Sequence, residues 1–279
     1  MKTTLYLTRH RSSAGPRWAL DSRWLPPGLT LGSLLAMPRG DMEELLKGLA
    51  TSARDSEPAE GPLLAPVEPD HEVWAAGVTY RRSRDARQVE SQVADVYARV
   101  YQAPRPELFF KAIGWRVIGP DAAVRIRHDS RWTVPEPELT LVINCQGQIV
   151  GFCAGNDMSC RDIEGENPLY LPQAKIYDGS CALGPGILLA EPDALRDLPV
   201  SLQITRGGVC CFAGETRTSQ MVRPLEELVS YLCRSLAFPA GVLLMTGTGI
   251  VPPDDFTLLP GDIIRIAVGT LVLTNKVQG

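Results

Sequence analysis

The reading of one stretch, Thr133–Ile143 (TVPEPELTLVI), decides the fold. From Leu139 it reads as a buried strand, Leu-Thr-Leu-Val-Ile. Glu136 and Glu138 stand at its entrance, two residues apart. Side chains at i and i+2 of a strand project from one face. An extended backbone therefore aims two negative charges the same way beside an apolar surface. Most such pairs are simply hydrated. The alternative is a divalent cation held between the carboxylates, which turns their repulsion into ligation.

Working outward, Leu139–Cys153 (LTLVINCQGQIVGFC) reads as a hairpin with CQGQ at its turn. Hairpin strands lie antiparallel and side by side. The second strand runs on into GNDMSCRDIEGENP, so Asp157 returns to the neighbourhood of Glu136 and Glu138. If three carboxylates converge there, their oxygen-only donor set favours a hard cation, Mg²⁺ first, with Ca²⁺ or Mn²⁺ as alternatives.

The rest of the chain reads as a mostly β body. Short apolar pieces separated by Gly and Pro recur: VWAAGVTY, ELFFKAIG, AVRIR, GILLA, SLQITRGG, VLLMTGTG, IIRIAVG and TLVLTNKV. Helical spacing predicts helices over GDMEELLKGLA, with Asp41 as N-cap, over residues 83–102 and over RPLEELVSYLCRSL. Residues 51–70 are rich in Ser, Glu, Pro and Ala and read as a connecting segment. The expected division is a small N-terminal domain and linker, 1–70, and a larger body, 71–279.

The chain has 279 residues, 44% of them apolar, enough for a sizeable core. A net charge of −4, with no run of like charge, gives no case for nucleic acid or an anionic membrane. No apolar run approaches the ~20 residues that span a bilayer, and the N-terminus does not read as a signal peptide. The seven cysteines have no CxxC spacing and lie mostly in apolar runs, so buried reduced thiols in a cytoplasmic protein are expected.

The ordered motifs PEPELTLVIN, GNDMSCRD, Lys175 shortly before ALGPGI, TGTG and LPGDIIRIAVGTLVLTNKV resemble the catalytic domain of the fumarylacetoacetate hydrolase superfamily over about residues 72–278. The resemblance implies a mostly β (α+β) fold, a mixed β-sheet and β-roll catalytic domain with a small N-terminal α/β domain. It also implies Mg²⁺ held by Glu136, Glu138 and Asp157, and a homodimer or homotetramer.

Family hydrolases that cut carbon–carbon bonds carry a G-x-N-Y-x-x-H motif. The matching stretch here is GVTYRRSRDAR, with Tyr80 in place but Ser83 where the histidine is expected. None of His10, His71 and His128 replaces it by position. With RDIEGENPLYLPQAKIYDGSCALGP, this stretch is similar to the 2-keto-3-deoxy-D-arabinonate dehydratase branch. That similarity implies a lyase which dehydrates a 2-keto-3-deoxy sugar acid to 2-oxoglutarate semialdehyde. Glu107 and Lys175 are then the candidates for proton transfer, and Thr248, Ser159, Tyr80 and Arg84 for substrate contact. Lys111 reads as a supporting residue, and Arg161 with Asp162 as an ion pair bracing the loop. The competing expectations are a hydrolase of acylpyruvate type, an oxaloacetate decarboxylase or tautomerase, and an inactive binding scaffold.

Overall fold

The computed structural model describes residues 5–52, 57–80 and 103–279. The helix expected over 83–102, and Arg84 with it, lie outside these residues.

Among the described residues the strands are β1 (Tyr6–Ser12), β2 (Gly15–Leu20), β3 (Arg23–Trp24), β4 (Glu72–Gly77), β5 (Glu107–Ile113), β6 (Ala123–Arg125), β7 (Thr133–Val134), β8 (Pro137–Ile143), β9 (Ile149–Asp157), β10 (Ser159–Cys160), β11 (Cys181–Leu189), β12 (Pro199–Arg206), β13 (Val209–Arg217), β14 (Val242–Met245), β15 (Ile263–Val268) and β16 (Leu271–Gln278). The α-helices are α1 (Leu31–Leu35), α2 (Arg39–Ser52), α3 (Arg161–Glu166), α4 (Leu171–Lys175) and α5 (Leu225–Leu232).

Nine strands form one sheet in the order β3-β2-β1-β11-β9-β8-β14-β4-β5, and five form a second in the order β13-β12-β15-β16-β6. Every residue of β8 and β9 is buried. The reason is layering. One face of the large sheet packs on the small sheet and α5, through Leu139, Leu141, Phe152, Leu202, Ile266 and Leu228. The other face packs on α1 and α2, through Val142, Cys153, Leu34, Met42 and Leu46. A strand between two apolar layers needs no polar alternation.

The nine-stranded sheet runs through both parts of the chain, because β1 pairs with β11. The segment before β4 is packed rather than loose. Leu64 donates its N–H to the Arg9 carbonyl, Arg11 donates to the Pro62 carbonyl, and Val67 is fully buried. Glu68 accepts from the Trp18 indole and from the first backbone N–H groups of α1. Those N–H groups have no partner within their own helix, so a linker-like composition conceals a helix cap.

The helix over GDMEELLKGLA begins two residues earlier than its expected cap. Asp41 sits inside the first turn of α2, where a negative charge complements the helix dipole. In α5, Leu225, Leu228, Val229 and Leu232 are buried at i, i+3, i+4 and i+7. The hairpin over 139–153 is present, with Gly147 at φ +73° in its turn. All seven cysteines are unpaired, but only Cys153, Cys160 and Cys181 are buried. Cys145, Cys210 and Cys211 are exposed, because their strand or turn faces solvent.

Candidate active site

The site lies at one end of the large sheet, on the face that also carries α1 and α2. Glu136 and Asp157 stand directly opposite each other where β8 meets β9. Asp157 N–H donates to the Glu136 carbonyl at 3.0 Å, and Glu136 N–H to the Asp157 carbonyl at 3.2 Å. Opposed residues of an antiparallel pair share a face, so both carboxylates point the same way. Glu138, two residues on, joins them. Its partner on β9 is Gly155, which has no side chain to intrude. One ligand oxygen from each of Glu136, Glu138 and Asp157 lies within 4.8 Å of the others, and all three residues are buried.

Like charges opposed on a sheet are destabilising, and three cationic side chains answer them. Lys175, at the end of α4, donates to Glu136 Oε2 (2.8 Å), Asp157 Oδ2 (3.0 Å) and Ser159 Oγ (2.6 Å). Arg161, at the head of α3, donates to Glu136 Oε1 (2.8 Å). Lys111 is fully buried, pairs with Asp157 Oδ1, and donates to the carbonyls of Met158 and Lys175.

Glu138 has a different environment. It accepts the Gly247 N–H at 2.6 Å. Burial, and then the charges of Asp157 and Glu136, push its carboxyl well above the usual range. An all-oxygen, buried donor set suits a hard divalent cation. Glu136, Glu138 and Asp157 are the residues that would hold it.

Beside this cluster is a small cavity. Its lining includes Glu136, Asp157 and Lys175, then Gly77, Glu107 and Phe109, and also Gly247, Thr248 and Glu164. Glu107 and Phe109 are at i and i+2 on β5, so they share the face toward the cluster. The register between β4 and β5 shifts at Lys111, a β-bulge that leaves this lysine without a partner on β4.

The structure brings Glu107, Lys175 and Thr248 to the cavity with two of the three carboxylates. It distributes the other expected residues differently. Ser159 is fully buried, and its hydroxyl donates to the Asp157 carbonyl and accepts from Lys175, so it faces the lysine rather than the cavity. Tyr80 is buried against Gly249, where an added Cβ would stand 2.6 Å from its ring. Its phenol is pushed up by burial and then by the Glu138 charge, and stays protonated. Arg161 pairs with Glu136 and not with Asp162. Adjacent helix residues point in different directions, and Asp162 instead accepts from Ser130 Oγ and the Arg131 N–H.

Among the described residues no histidine lines the cavity. His71 is held by the Ala240 carbonyl and the Glu68 N–H, and His128 is exposed. Glu164 is the residue that sequence reasoning passed over. It lies three positions after Arg161, hence on the same face of α3, a signal that was available.

The geometry agrees with the comparisons. Residues 72–278 match the model of the fumarylacetoacetate hydrolase C-terminal domain. The chain belongs to the fumarylacetoacetate hydrolase family. Within that family it is 47% identical over 214 residues to a probable 2-keto-3-deoxyxylonate dehydratase of Haloferax volcanii, covering 76% of this chain and 73% of that one. It is 44% identical over 225 residues to a 2-dehydro-3-deoxy-D-arabinonate dehydratase of Saccharolobus solfataricus, covering 77% and 74%. A solved 2-keto-3-deoxy-D-arabinonate dehydratase, complexed with magnesium and 2,5-dioxopentanoate, superposes with a TM-score of 0.77 at 32% identity over 98% of both chains.

Proposed function

We propose that the protein is a Mg²⁺-dependent dehydratase that converts a 2-keto-3-deoxy pentonate, 2-keto-3-deoxy-D-arabinonate in the first instance, to 2-oxoglutarate semialdehyde with loss of water. The observation that carries this reading is the convergence of Glu136, Glu138 and Asp157 beside Lys175 and Glu107 in a chain so similar to named dehydratases. The ligand of the solved neighbour, 2,5-dioxopentanoate, is the same compound as 2-oxoglutarate semialdehyde.

Glu136, Glu138 and Asp157 would hold Mg²⁺, which would supply Lewis acidity toward a 2-keto acid, worth several kcal/mol. The chain's own residues do the rest. Glu107 borders the cavity with Phe109, where partial burial suits a carboxylate that takes a proton from C3 and returns it to the C4 hydroxyl, so that the C3–C4 double bond forms as the C4–O bond breaks and water leaves. A proton shift from C5 to C3 and tautomerisation of the resulting enol then give the C5 aldehyde. Proton transfer of this kind contributes about 10² to 10⁴ in rate. Lys175 holds Glu136 and Asp157 in place, and its positive charge favours negative charge developing on the substrate. Thr248, between two glycines, borders the cavity where its backbone can meet the substrate carboxylate, its hydroxyl being turned to Ile250. Glu164 adds an acceptor for substrate hydroxyls.

Dehydration is favoured over hydrolysis because no described histidine reaches the cavity to activate water. The seven unpaired cysteines support a reducing, cytoplasmic location, and no described helix is long and apolar enough to cross a membrane. A role in oxidative pentose breakdown and assembly as a homodimer or homotetramer complete the proposal.

The test is product identity. Purified protein with Mg²⁺ is incubated in parallel with 2-keto-3-deoxy-D-arabinonate, an acylpyruvate and oxaloacetate, and products are read by NMR. Semialdehyde from the first substrate, with much slower turnover of the other two, is expected. Preferential cleavage of the acylpyruvate or decarboxylation of oxaloacetate overturns the reading.

A further inference from the structure

Glu107 belongs to β5, and the order β8-β14-β4-β5 sets it three strand spacings from the strand of Glu138. At ~4.8 Å per spacing that is roughly 14 Å. A glutamate pointing straight up from β5 therefore stands at the edge of the site. To border the cavity, its carboxyl group has to lie down across β4.

The residue it lies across is Gly77, its register partner at the end of β4. A Cβ built on Gly77 would stand 2.2 Å from Glu107 Oε2, 2.6 Å from Cδ and 3.2 Å from Oε1. These are the three nearest heavy atoms to that position, and all belong to the carboxyl group. Gly77 has no positive φ, so its backbone conformation does not require glycine. What requires glycine is the space that the Glu107 carboxyl group fills.

We propose that Gly77 is a positioning residue for Glu107: its missing side chain is the cradle that holds the carboxyl group over the substrate. The proposal rests on the role given to Glu107 above. An alanine here meets only the far end of a flexible side chain, which can swing away without moving the strands. The substitution is therefore mild for the fold and severe for turnover.

The experiment compares wild type, Gly77→Ala, Glu107→Gln and the double variant, in kcat, Mg²⁺ affinity and thermal midpoint. Gly77→Ala is expected to bind Mg²⁺ as wild type does. Its kcat should fall roughly 10²-fold, the low end of what a lost proton-transfer group removes, and by about as much as in Glu107→Gln. Because both changes disable one group, the double variant should be no slower than Glu107→Gln alone. Wild-type turnover in Gly77→Ala, or losses that multiply in the double variant, overturn the proposal.

Glu107→Ala supplies a second reading that needs no substrate. If Gly77→Ala alone proves unstable, adding Glu107→Ala should restore the midpoint, since the collision is gone. An unrestored midpoint counts against the cradle. If wild type does not dehydrate the sugar acid, the functional reading falls, and a crystal structure of Gly77→Ala still decides the role of Gly77: a Glu107 carboxyl group displaced from its wild-type position is expected, and one left in place overturns the cradle.

Discussion

Glu136 and Asp157 exchange both backbone hydrogen bonds across the mouth of the β8–β9 hairpin, at 3.2 and 3.0 Å, and aim their carboxylates to one side. This fixes the spacing of the acidic group by strand register rather than by a flexible loop. Gly155 opposite Glu138 keeps the third carboxylate unobstructed.

A site set by register loses its cation when one carboxylate is neutralised. Asp157→Asn and Glu138→Gln should each weaken Mg²⁺ binding by at least the ~10–100-fold seen when groups that merely support metal ligands are removed. Isothermal titration calorimetry measures this directly. Unchanged affinity in either variant removes that residue from the ligand set.

Lys111 has no contact with solvent and serves Asp157 and two carbonyls at once. Lys111→Met leaves the Asp157 charge short of a buried partner. Breaking a buried pair in this way costs about 3–5 kcal/mol, to be read from urea unfolding. Lys276 is exposed, and Lys276→Met should stay within about 0.5 kcal/mol of wild type.

The sequence displayed the acidic trio because its convergence needs only three facts: an alternation of two, a hairpin, and an aspartate at its far end. Glu107, Phe109 and Lys111 were legible in part, since alternation puts Glu107 and Phe109 on one face, but the bulge that places Lys111 is a matter of register with β4. The partner of Arg161 was not legible either. An arginine followed by an aspartate suggests a local pair, and only the fold shows that Glu136, distant in sequence, stands nearer. Exposed Cys210 and Cys211 mislead for a related reason: their apolar neighbours belong to the outermost strand of the small sheet.

That difference among cysteines is measurable. Burial pushes the Cys181 thiol up to about 12 and also raises Cys153, and thiolate is the reactive form. In native protein, Cys145, Cys210 and Cys211 should react promptly with a disulfide reagent. Cys153, Cys160 and Cys181 should react only after denaturation, as peptide mapping will show.

Asp197 ties the start of β12 to the end of β13 through Arg217 and Ser219. The Arg217 guanidinium, then the Ser219 hydroxyl, lower its carboxyl to about 2. A folded pKa below the unfolded one adds stability above the unfolded value and loses it as pH falls through the folded value. Wild type should therefore melt above Asp197→Asn from about pH 4 upward. The gap should close toward pH 2, as thermal scans across this range will show.

The central claim is that a carboxylate-held cation drives loss of water from a 2-keto-3-deoxy sugar acid. The measurement that tests it most directly is NMR quantification of product from 2-keto-3-deoxy-D-arabinonate, in rigorously demetallated protein and again after Mg²⁺ is restored. The account predicts one 2-oxoglutarate semialdehyde per substrate consumed with Mg²⁺, and essentially none without it. Undiminished semialdehyde formation in the demetallated protein, or pyruvate and glycolaldehyde in its place when Mg²⁺ is present, would contradict it.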